Sequence, residues 1–396
     1  MPSPLPRFAP ARSQSHLLRT TALLTIIPLF ASVKPGFADL ILDNDGTVDS
    51  NHQAVSGDIM QQDQVWYDTD TGSASLLTDD SRLVLSNPAG GAVTLDFGNQ
   101  VRPEEVAINA DGFTLAGSGQ FYNDTNGLRF STETAGTSVN VSTNIHAATT
   151  IGSGLTFNYS GDAPDMLSLH IESGAFLNNS GTTTGDMQVD GQASVSGQHN
   201  GNVTVTQDAV AGTSGVLNLD GNITGAIDNE GAVDISGTGT VTGDVANLAG
   251  GSLNNEGSIT GDVANNANAS LASSGTITGN LDNDGSATLS GDINGTLDNS
   301  ASDLLLDGNL NLGDLVNSGS ITVDDGQTLT STDVAENTGT LGIDGDFTGA
   351  IDNEGAVDIS GTGTVTGDVA NLAGGSLNNE GSITGDVANN ANASLA

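Results

Sequence analysis

Asp244 and Asp262 stand 18 residues apart in matching contexts, and Asp368 and Asp386 repeat the arrangement further along the chain. If successive segments of this length stack, the carboxylates rise one above another. Like charges facing each other on neighbouring strands are destabilising. At about 5 Å in water-like surroundings the repulsion is below roughly 1 kcal/mol per pair, and less with salt. A hard cation with oxygen preference, Ca²⁺, would relieve it. Asp43-Asn44-Asp45-Gly46 adds a calcium-like alternation. Asp43, Asp45, Asp244, Asp262, Asp368 and Asp386 are therefore the candidate Ca²⁺ ligands, and no other cofactor is expected.

A second pattern is made of hydroxyls. Polar pairs flank single aliphatic residues at Thr240/Thr242, Ser258/Thr260, Thr276/Thr278, Asp292/Asn294, Asn309/Asn311, Thr328/Thr330, Asp346/Thr348, Thr364/Thr366 and Ser382/Thr384. Stacked about 4.8 Å apart, Thr240, Thr242, Thr260, Thr276, Thr278, Thr364, Thr366 and Thr384 would form a face suited to ice or a crystalline glycan. Ordinary β-propensity on a solvent face accounts for the same residues.

Catalytic groupings are not evident. His52, His146, His170 and His199 lack metal-ligand spacing. Asp79-Asp80 and Asp324-Asp325 are nominal carboxylate pairs for glycoside hydrolysis, and they read equally as solvated turn acids. No nucleophile elbow, phosphate loop or dinucleotide fingerprint sits in the required context. The expectation is a non-enzyme with no catalytic residue. A carbohydrate-active lyase or hydrolase is the alternative, and an ice- or glycan-binding solenoid a further one.

These residues need elements to position them, and the chain is repetitive. The 49 residues from Thr224 to Ala272 recur unchanged from Thr348 to Ala396, an offset of 124. Within this unit, segments begin at Ile223, Val241, Ile259, Ile277, Ile293, Leu310, Leu329, Phe347, Val365 and Ile383, 16 to 19 residues apart. Single apolar residues at such a period fit no amphipathic helix. Triplets such as Thr240-Val241-Thr242 read instead as strands with one residue inward, and the Gly, Asn and Ser clusters between them as turns. Each segment predicts one coil of a β-solenoid, whose few apolar side chains form a core only by stacking.

The seventh position of each coil is Asn, at Asn229, Asn247, Asn265, Asn283, Asn299, Asn317, Asn337, Asn353, Asn371 and Asn389. An amide there can donate to one neighbouring coil and accept from the other. Asn also tolerates a turn with positive φ, so both readings stand. Eighteen residues make three hexads, but left-handed hexapeptide helices need an aliphatic residue every six. With Asn at position 7 and variable coil length, a right-handed parallel β-helix is the expected architecture.

Composition sets the compartment. Arg7, Arg12, His16 and Arg19 precede the apolar run Thr20 to Ala31, and Gly36 and Ala38 suit a cleavage site before Asp39. Residues 1–38 are expected to be a signal peptide, too short in its apolar run to span a bilayer, with no membrane-spanning segment after it. The remainder holds three arginines and no lysine against 48 acidic residues, a formal charge of −45. Such a surface repels nucleic acid and anionic lipid. There is no cysteine, so an exported chain must hold together by packing and hydrogen bonds.

The part after the leader divides into residues 39–165, richer in aromatics and longer alternating strands and suited to cap the stack; residues 166–222, transition coils; and residues 223–396, the regular array. The segment from Pro103 to Gly117, PEEVAINADGFTLAG, resembles one common near the start of autotransporter passengers. The Thr-Gly-x-Val-x-Asn coils from residue 223 are similar to the repeats of large adhesin passengers. The resemblance implies a right-handed β-helix at the surface of a Gram-negative bacterium, with an adhesive or structural role and a host cell, neighbouring cell or extracellular glycan as partner. The translocating barrel of that family, alternating strands closing on an aromatic, is not among these residues. Outer-membrane attachment is thus expected to depend on a segment outside them. An uncovered last coil would present strand edges, so end-to-end self-association is also expected.

Overall fold

Val241, Val245 and Leu253 show how one coil is built. Thr240–Thr242, Val245–Asn247 and Ser252–Asn255 are three short strands, each with one or two side chains inward and the rest toward solvent. Corners at Gly243-Asp244, Leu248 to Gly251 and Glu256-Gly257 separate them. In the next coil Thr240 pairs with Ser258, Val245 with Val263 and Ser252 with Ser270, all parallel. Repeated along the chain, this gives an all-β parallel solenoid with coils of about 18 residues. The computed structural model describes residues 39–42, 57–59, 66–68, 73–75, 82–86, 92–98, 100–208, 213–302 and 304–396, and there is no helix among them.

Stacking does what no coil can do alone. Ile223, Val241, Ile259 and Ile277 form one buried column, and Leu217, Val233, Leu253 and Leu271 another. Each buried aliphatic contributes about 1.5–3 kcal/mol relative to exposure, and only the coils above and below exclude the water. In the earlier coils the core is aromatic. Phe97, Phe121, Phe130 and Phe157 follow one another with ring centroids 4.7–5.7 Å apart.

Asp39–Leu42 pairs in parallel with Arg82–Leu85 and runs antiparallel to Trp66–Asp68. The parallel ladder is therefore continued into antiparallel pairing at this edge. Another antiparallel pair, Gln207–Asp208 with Thr213–Ser214, forms a separate two-stranded sheet.

Glycine is required where coils meet at the corner after the Thr-x-Thr strand. A Cβ on Gly243 would be driven into the carbonyl oxygen of Gly225, and one on Gly261 into that of Gly243. No rotamer change relieves a clash with backbone.

The alignment of coils departs from the sequence expectation at one place. Ile293 was expected under Leu310, but it pairs with Leu312, while Leu310 lies over Gly291 and under Leu329. Both leucines are buried. A slip of two residues keeps the same side chains inward, and the long strands Ser286–Asn299 and Leu304–Asn317 absorb it through register shifts at their corners.

Candidate functional site

The seventh-position asparagines lie inside the solenoid. Asn229 Nδ2 donates to Asn247 Oδ1 at 2.8 Å, Asn247 to Asn265 at 2.8 Å, and Asn265 to Asn283 at 2.7 Å. The chain of amides continues without a break through Asn299, Asn317, Asn337, Asn353 and Asn371 to Asn389, at 2.7–2.9 Å. The second N–H commonly goes to a backbone carbonyl, as from Asn247 to Ser270. All but Asn389 are buried. These residues close strands; positive φ outside glycine falls, among the described residues, on Asn268 and Asn392 in the following turn. Upstream the same column is apolar, Ile151, Ile171, Val189 and Val205, and it changes to amide at Asn229.

The acidic row works through one oxygen. Asp244 Oδ1 accepts the Asp262 N–H at 3.1 Å, Asp262 Oδ1 that of Asn280 at 2.8 Å, and Asp368 Oδ1 that of Asp386 at 2.8 Å. Asn202 and Asn280 do the same for Ala226 and Thr296, so the position needs an acceptor and not a charge. Among the described residues no group of three or more His, Cys, Asp or Glu is placed to hold a metal ion. Asp43 and Asp45, like Asp79 and Asp80, lie outside the described residues.

The hydroxyl face is dislocated. Thr240, Ser258, Thr276 and Asp292 are in line, but the slip joins this row to Asn311, Thr330, Thr348, Thr366 and Thr384. Thr364 stands in the other row, between Asp346 and Ser382. Thr242, Thr260 and Thr278 are exposed on the far side of the aliphatic column. The threonines thus form two patches out of register, with amides and a carboxylate between them.

His146, His170 and His199 are dispersed, and His52 lies outside the described residues. His146 stacks on Tyr122 at 4.6 Å, and Arg102 covers that tyrosine's ring at 4.7 Å. His170 Nε2 lies 2.7 Å from Asp190. Burial works against the Asp190 charge, but bonds from His170, Thr206 and Gln188 hold its carboxyl below the ordinary carboxylate range. His199 is enclosed, with Nδ1 3.0 Å from Thr183 Oγ1 and no hydrogen-bond partner at Nε2. Burial pushes its pKa down to about 4, partly opposed by the Asn202 backbone and Asp186.

Sequence reasoning missed a recess of about 400 Å³ on the outer face of the earlier coils. Asn140, Asn158 and Asn178 line it from three successive coils, beside Ser160, Ser180 and Ser196 at the corner. Asn158 donates to Asn140 at 3.0 Å and Asn178 to Asn158 at 2.7 Å. This is an amide row like the internal one, but on the solvent side. The coils here lack a fixed period, so no repeat signal marks these residues.

No family model matches the chain, and no curated protein does. Among solved structures it is similar to a crystallised TibA fragment, hyper-glycosylated by TibC catalysis. The identity is 19% and the TM-score 0.24, over 80% of this chain and 98% of that one.

Proposed function

We propose that this chain is an exported structural or adhesion protein of the autotransporter-passenger kind, displayed or released at the surface of a Gram-negative bacterium. Its work is presentation: a stiff solenoid carries polar faces outward to a host cell, a neighbouring cell or an extracellular glycan. The unbroken amide chain from Asn229 to Asn389 supports this reading most directly. It ties ten coils into one column whose backbone and side-chain bonds run along the axis, which is what a spacer needs. The leader-like residues 1–38 and the acidic, lysine-free remainder fit export and solubility. A right-handed twist belongs to the same reading. The out-of-register threonine patches weigh against a lattice-matched ice face.

The test is binding of the labelled full chain to bacterial cells, epithelial cells and immobilised polysaccharides, with a reducing-sugar assay on the same glycans. Saturable cell binding without release of reducing ends is expected. Turnover of any glycan, or cell binding no greater than that of an unrelated acidic protein, would overturn the proposal.

A further inference from the structure

We propose that the recess along Asn140, Asn158 and Asn178 is a binding site for an uncharged, extended oligosaccharide. The proposal deepens the reading of an adhesive rod, and rests on it, by naming the ligand class and its seat.

Three observations converge there. First, the lining is made of asparagine, serine and Tyr159 and carries no charged side chain, in a chain with 48 acidic residues. A ligand that offers many hydroxyls and no charge suits it, whereas a polyanion gains nothing from the amides and meets the protein's negative field. Second, the amides are left with hydrogen-bonding capacity. Asn158 and Asn178 each use one N–H within the row, Asn140 keeps its whole NH₂ group, and Asn178 keeps its carbonyl oxygen. Successive rungs lie about 4.8 Å apart, close to the advance per sugar of an extended β-linked pyranose chain. Third, Phe176 is 43% exposed, an apolar ring on the solvent side. Its strand, Phe176–Asn179, turns Phe176 and Asn178 to the same solvent side while Leu177 and Asn179 are buried. Phe176 lies outside the recess lining, two residues from Asn178, about 7 Å along the backbone of the strand. It offers an apolar face to the C–H side of a pyranose, while the amides take the hydroxyls. A recess of about 400 Å³ lies in the ordinary range of ligand sites.

Calorimetric titration of the full chain with cello-, chito- and manno-oligosaccharides, and with polygalacturonate, tests the proposal. Binding of at least one uncharged series is expected, and none of polygalacturonate. Phe176→Ala and Asn158→Ala should each weaken binding at least tenfold, with circular dichroism and melting temperature unchanged, and Thr366→Ala should bind as wild type. Failure of all three uncharged series to bind, or full affinity in a Phe176→Ala/Asn158→Ala double variant, overturns it. Cell adherence of the same samples separates the two readings. A wild type that binds oligosaccharide but no cell surface keeps the recess and removes adhesion. One that binds cells and no oligosaccharide does the reverse.

Discussion

Asn247 and Asn265 occupy equivalent places in neighbouring coils, and the side-chain amide of the first donates to that of the second at 2.8 Å inside the core. Neither is accessible to water, so each amide depends on its neighbours for both donor and acceptor. Asn265→Ala would leave the Asn247 donor and the Asn283 acceptor short of a partner. An unsatisfied buried group costs about 1–3 kcal/mol, so the substitution is expected to destabilise the solenoid by about 3 kcal/mol. Asn254→Ala, whose amide bonds Asp234 on the solvent side, should change stability by less than about 0.5 kcal/mol. Urea denaturation of the two variants checks the contrast.

Gly261→Ala places a methyl group against the Gly243 carbonyl and must push the coils apart. Overpacking against backbone is expected to cost about 3 kcal/mol. Gly237→Ala, whose added carbon meets nothing nearer than the Glu256 carbonyl at 3.9 Å, should be near neutral. Equal melting temperatures for the two variants would refute the close stacking described here.

His199 makes the earlier coils acid-sensitive. Its imidazole titrates near 4 in the fold against 6.5 when free, so the unfolded chain takes up the proton first. The stability tied to the neutral ring is complete above pH 6.5 and is lost as pH falls through 4. The loss is at most about 3 kcal/mol. His199→Gln should flatten the pH dependence of the melting temperature across that window.

Asp282 lies next to Asp298 in the adjoining coil. Partial burial, with Asp284 and Asp298 adding repulsion, raises its pKa. Its charged form therefore opposes folding, and the handicap disappears as pH falls through that raised pKa. Asp282→Asn should stabilise the protein at neutral pH by about 0.5 kcal/mol, since the group is largely solvated, with the gain shrinking on acidification.

Asp262 holds the Asn280 N–H through Oδ1. Asp262→Asn keeps an acceptor there and should preserve the melting temperature, whereas Asp262→Ala should cost about 1 kcal/mol. A calcium-dependent melting temperature that Asp262→Asn abolished would show instead that the carboxylate serves a cation.

The architecture was legible because the repeat is short and its chemistry differs at each corner. Single aliphatics at Val241, Ile259 and Ile277, with glycine two residues on, admit one periodic solution: inward side chain, tight corner, stack. The asparagines could be assigned to a corner but not to its inside. That distinction depends on strand phase, and a change of one residue between Ala246 and Asn247 exchanges solvent for core. The acids were read as a charged ladder because charge is visible in a sequence, whereas the backbone N–H that each one caps is supplied by a residue a full coil away.

What the residues determined alone was the coil, its length of about 18, and the recurrence of Asn and Gly at fixed places within it. Which residues face each other across coils was decided only by closure in three dimensions. Corner length sets the offset between strands, so Ile293 meets Leu312 instead of Leu310 and the threonine rows break. The outer row at Asn140, Asn158 and Asn178 arises in the same way, from coils of unequal length brought into register by the core beneath them.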